Sequence, residues 1–248
     1  GQPRQHDVGF AGQPNLVAGW VPGQSPVIYP QNSGILLHKG DALVVQMHYH
    51  SADTPVPDAS TIELQLDKKA DSPTVRPLRV VNPLAPKDQD EPLCDLDAAI
   101  AENEKLYGGA GANNEAGLLA LCHKTPEELT AGFDGTVARS SCTTTVPEDG
   151  EIVGIMGHMH TLGKSIKLTL DKGTADEQVL LDIPHWSFDW QMNYGLAEPL
   201  HVKAGQKIEI ECAWDRSIDP LRAPKYIVFA EGTEDEMCFA TYSLLPDD

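Results

Sequence analysis

The sequence predicts a mostly β protein of antiparallel β-sandwich or jelly-roll type, interrupted by one helical stretch. Three observations carry that prediction. From residue 140 onward the chain is a series of short apolar runs separated by turn residues: TTTVPEDGEIVGIMGHMH, KSIKLTLDKG, EQVLLDI, EPLHVKAGQKIEIECAWD, KYIVFAEG and MCFATYSLLP. Strands at that spacing with few helices are the pattern of sandwiches and jelly rolls. Helical spacing of Ala, Leu and Glu is confined to residues 86–135. At 248 residues the chain is long enough for one large or two ordinary domains, and two are expected.

In chain order, residues 1–35 are rich in Gly, Pro, Gln and Asn and read as extended loop. LLHKGDALVVQMHYH then reads as a Gly-Asp turn followed by a strand, and TIELQLDKK and TVRPLRVV read as further strands. After NPLAPKDQDEP, the segments DLDAAIAENEKLYG and NEAGLLALCHKTPEEL read as helices around a glycine-rich break, GGAGANN. The expected organisation is therefore residues 1–88 as part of a first β domain, 89–138 as a helical insertion or linker, and 139–248 as a second β domain. The chain shows neither an internal repeat nor a low-complexity tract.

Eighteen basic against 37 acidic side chains give a formal charge of -19, which repels phosphate backbones and anionic surfaces. Nucleic acid and membrane are accordingly not expected as partners. No stretch approaches the roughly 20 apolar residues that span a bilayer. The first residues, GQPRQHDVGF, lack a basic start and an apolar centre, so the expectation is a signal already removed or a fragment of a longer chain. Cys94, Cys122, Cys142, Cys212 and Cys238 stand far apart without a CxxC pair, which favours disulfides and a secreted or periplasmic location. Their odd number leaves one thiol free, or one with a partner outside this chain.

The chemistry-bearing pattern is EIVGIMGHMH. A strand alternates faces, so His158 and His160 project from one side and Met159 from the other, and two imidazoles so placed reach one metal ion. The competing reading is a pair of hydrogen-bonded core histidines. A thioether partner would favour copper in its reduced state. Met237, in TEDEMCFATYSLLP, opens a strand beside Cys238, where a plain core methionine is the competing reading. In LVVQMHYH, alternation puts Val44, Gln46, His48 and His50 on one face, a polar row that is either functional or simply solvent-facing. His6, His38, His123, His185 and His201 have no comparable neighbours. A GxSxG elbow is absent, GGAGANN lacks the ending of a phosphate-binding loop, and the Cys122-His123 adjacency says nothing about spatial geometry.

Taken together, HMHTLGK, DEMC and VVQMHYH resemble the copper type II ascorbate-dependent monooxygenases, the family of peptidylglycine alpha-hydroxylating and dopamine beta-monooxygenase. The resemblance implies two jelly-roll-like domains, each with one copper, the first incomplete here because the match begins partway through it. It implies that His158, His160 and Met237 hold the oxygen-activating copper. His48, with Gln46 matching the family glutamine, would belong to the second copper, helped by His50. The family's consecutive His-His pair has no counterpart in this chain, so an upstream segment or another chain would have to supply it. Cys212 and Cys238 occupy positions like those of a family disulfide, while Cys94, Cys122 and Cys142 remain an ambiguous trio. The helical stretch around residues 90–135 looks foreign to the animal enzymes.

The resemblance further implies a monooxygenase that hydroxylates an aliphatic C–H bond with O2 and a reductant such as ascorbate. Its substrate would be a small molecule. Where the peptide-amidating enzymes place an Arg and a Tyr against a peptide carboxylate, this chain has Met156 and Thr241, so a more apolar substrate is expected. The alternative is a non-catalytic copper-binding or assembly module of the same fold. Blue-copper electron transfer would need a thiolate ligand, and Cys238 is the residue that would have to provide it.

Overall fold

Segments that alternate apolar and polar residues after Val137 pair edge to edge within two sheets and turn their apolar faces toward a common core. The computed structural model describes residues 17–21, 23–29, 33–45, 47, 57–67, 74–79, 95–131, 133–219, 226–230, 232–233 and 235–247. Its strands are β1 (Thr74–Arg79), β2 (Val137–Thr145), β3 (Gly150–Met159), β4 (Gly163–Leu170), β5 (Gln178–Ile183), β6 (Asn193–Val202), β7 (Lys207–Asp215) and β8 (Cys238–Pro246). They form two four-stranded antiparallel sheets, in the orders β1-β8-β3-β6 and β2-β7-β4-β5. The mostly β expectation is met, with the helices where the sequence placed them. β1, an edge strand, comes from within residues 1–88.

The core lies between the sheets. Ile152, Ile155, Met159, Ile166, Leu168, Ile208, Ile210, Trp214, Ala240, Tyr242 and Leu244 are all buried there. Full burial of each large apolar side chain stabilises the fold by about 1.5–3 kcal/mol. Disulfides Cys122–Cys142 and Cys212–Cys238 cross-link the unit. This pairing resolves the cysteine trio: Cys94 is left over and lies outside the described residues.

Between β1 and β2 stand α1 (Leu96–Tyr107), α2 (Gly109–Cys122) and α3 (Pro126–Ala131). Asp95 caps α1 by accepting the Ala98 N–H at 2.9 Å. The expected break at GGAGANN is smaller than its glycines suggested. It reduces to Gly108, at φ 77°, and the rest opens α2. Three expected strands are not formed as such. Residues 61–67 and the described part of LVVQMHYH (43–45 and 47) are exposed and outside any ladder, because alternation without a partner strand leaves backbone groups to solvent. KYIVFAEG forms isolated bridges, at Ile227 and from Phe229 to Glu236, in place of a ladder, yet residues 226–230 are buried. An apolar run signals burial, not the backbone geometry that achieves it.

Candidate metal centre

β3 and β8 are adjacent, and their register brings the two diagnostic motifs side by side. Met156 faces Thr241, His158 faces Phe239, and Met159 faces Cys238. His160 and Met237 directly follow that last rung. Directly opposed residues share a face, so Met156, His158, Phe239 and Thr241 lie on one side. Gly157, Met159, Cys238 and Ala240 lie on the other, against the second sheet. A Cβ on Gly157 would stand 3.2 Å from Ile166 and 3.3 Å from Leu181, which shows how closely that inner face packs. The candidate centre is therefore on the outer face of the β1-β8-β3-β6 sheet.

A β-bulge sets this orientation. Ile152 pairs with Leu244 and Gly154 with Ser243, so the register slips by one residue at Val153. Ile152 and Met159 are seven apart, an odd separation, yet both sit in the sandwich core. Without the extra residue, His158 would share a face with Ile152 and point into the apolar interior.

The two imidazoles lie edge to face with ring centroids 5.1 Å apart. His158 Nδ1 is 2.6 Å from Gln191 Oε1, and Gln191 Nε2 donates to Phe188 O at 2.7 Å. The second bond fixes the amide, so Oε1 is the atom presented to the ring and Nδ1 is the donor. His160 Nδ1 donates to the Asp235 carbonyl at 3.1 Å. Both rings thus carry their proton on Nδ1 and present the Nε2 lone pair, the arrangement typical of metal-ligating histidine with a hydrogen-bonded second nitrogen. Burial pushes the His158 imidazole below its usual pKa, opposed by the Gln191 hydrogen bond. That favours the neutral, ligating form.

The backbone around His160 is clamped by Glu236, which is fully buried. Its carboxylate accepts the His160 N–H at 3.2 Å and the Leu162 N–H at 2.7 Å. Trp186 Nε1 donates to His160 O at 3.2 Å, and Phe188 meets the His160 ring edge to face at 6.2 Å. Met237 is buried with Leu118, Phe229 and Phe239. That apolar setting is compatible with a thioether ligand and equally with a core methionine. The Cys212–Cys238 bridge ties the residue after Met237 to β7.

Among the described residues, no three or more His, Cys, Asp or Glu side chains converge as a metal-binding group. The register brings to this end of the sheet two imidazoles and, one residue beyond the last rung, Met237; nitrogen and thioether donors suit copper better than a hard cation. Gln46, His48 and His50 lie outside the described residues. The sequence reading did not single out Gln191, Phe188, Trp186, Asp235 or Glu236. For the last two a signal existed, since they immediately precede Met237 in TEDEMC.

Residues 114–243 match the family model of the copper type II ascorbate-dependent monooxygenase C-terminal domain. The chain belongs to this family. The match runs from α2 through most of β8 and includes His158, His160, Met237 and the Gln191 loop. No curated protein matches the chain significantly. The two disulfides fit an oxidising, extracellular compartment. Among the described residues, no helix is long and apolar enough to cross a membrane.

Proposed function

We propose that this chain carries the oxygen-activating copper of a monooxygenase that hydroxylates an aliphatic C–H bond, with His158, His160 and Met237 as ligands and ascorbate or a similar reductant as electron donor. The observation that carries the reading is the pair of Nδ1 hydrogen bonds, to Gln191 and to the Asp235 carbonyl. When bound, copper supplies one-electron redox chemistry and a place to activate O2. The chain's own residues fix two imidazoles in the ligating tautomer, restrain the backbone at His160 through Glu236, and keep bulk water from one flank with Phe188, Phe229 and Phe239. A thioether is a weak ligand that stabilises the reduced ion.

Substrate choice would be set next to the ligands on the same outer face. Met156 and Thr241 are direct cross-strand partners, two residues before His158 and four after Met237. Neither side chain offers a cation or a phenol to a carboxylate, so the reading is a small molecule more apolar than a peptide terminus. We further infer that the sandwich is a jelly roll, supported by its strand order, that residues 1–88 include part of a first domain, and that the protein is secreted or periplasmic. His48, with His50, would serve a second, electron-storing copper.

The test is tightly bound copper per chain after reconstitution and desalting, for wild type and His158→Ala, followed by O2 uptake with ascorbate. One copper that disappears in the variant supports the ligand set, two would mean that His48 and His50 complete another site, and none defeats the proposal. Copper that binds but never couples O2 uptake to a hydroxylated product would identify a non-catalytic module.

A further inference from the structure

The loop between β5 and β6 carries Gln191, the partner of His158, yet it belongs to no ladder. One end is pinned by Trp186, through its N–H to Lys164 O at 2.9 Å and its Nε1 to His160 O at 3.2 Å. At the other end the Asp189 and Trp190 side chains are exposed, so they supply little packing of their own. What lies against the backbone there is a turn from far away in sequence.

That turn is closed three times. Gln24 N donates to Val21 O at 3.1 Å, Gln24 Oε1 accepts the Val21 N–H at 3.0 Å, and Trp20 Nε1 donates to Gln24 O at 3.2 Å. Gln24 is buried. Gly23 sits at φ +82°, and a Cβ built on it would stand 2.5 Å from Asp189 O and 3.0 Å from the Trp190 Cα. Only a residue without a side chain allows both that backbone conformation and that approach. The turn thus rests directly on the two residues that precede Gln191.

We propose that the turn formed by Trp20, Val21, Gly23 and Gln24 is a clamp that holds the Gln191 loop against His158, which makes Gly23 a positioning residue of the metal centre. The proposal rests on the ligand assignment above. A bulkier residue at position 23 pushes residues 189–190 outward, moves Gln191 Oε1 from His158 Nδ1, and releases the ring from its ligating tautomer and orientation. Outer-shell partners of metal-bound histidine commonly contribute about 10–100-fold in affinity.

The test compares Gly23→Ala with Gly173→Ala, where φ is +79° and nothing lies within 4 Å of the added Cβ. The control matches the backbone strain without the clash. Gly23→Ala is expected to weaken copper binding roughly 10–100-fold, to alter the Cu(II) hyperfine pattern, and to change the 15N ring shifts of His158 in the metal-free protein. Gly173→Ala should leave all three as in wild type. Gln24→Ala, which opens the turn without adding an atom near Asp189, should shift them in the same direction and serves if Gly23→Ala does not fold. Unchanged affinity and ring shifts in a folded Gly23→Ala, or equal changes in Gly173→Ala, overturn the clamp. If wild type takes up no copper, the ligand assignment fails, while the metal-free ring shifts still decide for or against the clamp.

Discussion

Glu236→Gln is the perturbation for which the structure gives the clearest magnitude. The carboxylate is fully buried and each oxygen accepts one backbone N–H, from His160 at 3.2 Å and from Leu162 at 2.7 Å. Glutamine preserves the volume but replaces one acceptor with an NH2 group. Either orientation therefore sets a donor against a donor. One charge-assisted bond is lost, at about 1.5–3 kcal/mol, and the surviving bond weakens to the neutral range of about 1 kcal/mol. Relief of the buried charge returns part of this, so we expect a net loss of about 3 kcal/mol, or roughly two orders of magnitude in the folding equilibrium. Urea titration should show a lower midpoint at an unchanged slope. Because one N–H belongs to His160, copper affinity should fall along with stability. A loss below about 1 kcal/mol would refute the view that this carboxylate clamps the turn after β3.

Gly163→Ala places a Cβ 2.5 Å from Trp186 Cδ1 and 2.9 Å from Met159 Cβ. Displacing the indole should cost about 2–3 kcal/mol through overpacking and loss of its bond to His160 O, and a denaturation midpoint within error of wild type would contradict the contact. Removing a disulfide should lower stability by about 3 kcal/mol for loops of 26 (Cys212–Cys238) or 20 (Cys122–Cys142) residues. Paired Cys→Ala variants test this, and only loss of Cys212–Cys238, beside Met237, should also disturb copper binding. Asp215 is held at a pKa of about 2 by its hydrogen bond to Lys164 and further by Ser217. A depressed carboxylate contributes stability above its unfolded pKa and loses it as pH falls through the folded value. Lys164 is about half exposed, so the pair is screened and worth about 1 kcal/mol. The stability gap between wild type and Lys164→Met should close between about pH 4 and pH 2, and a gap independent of pH would disprove the linkage.

How far the site could be read in advance depended on whether its parts obey local periodicity. His158 lies on β3 and His160 directly follows its last residue, so strand alternation carried one step past the end placed them together, and Met156 and Thr241 are cross-strand partners. Gln191 follows an irregular loop, and its partner is 33 residues away, a relation that no spacing rule encodes. Asp235 and Glu236 belong to an acidic run that charge alone assigns to solvent. Both are buried, and for Glu236 the His160 and Leu162 N–H groups provide the partners that make burial tolerable. KYIVFAEG showed its apolar character clearly, but tertiary packing replaced the expected ladder by an irregular buried segment.

The bulge at Val153 divides β3 into two stretches with opposite duties. Ahead of it Ile152 looks into the sandwich; beyond it Ile155, Gly157 and Met159 take over that task, leaving Met156 and His158 to the outside. Interior and reactive face are thus decoupled within one strand. Met156 and Thr241 stand beside His158 on the outer face, while Gly157 and Ala240 pack on the inner one. A strand arranged in this way can exchange side chains on its outer face without repacking the sandwich.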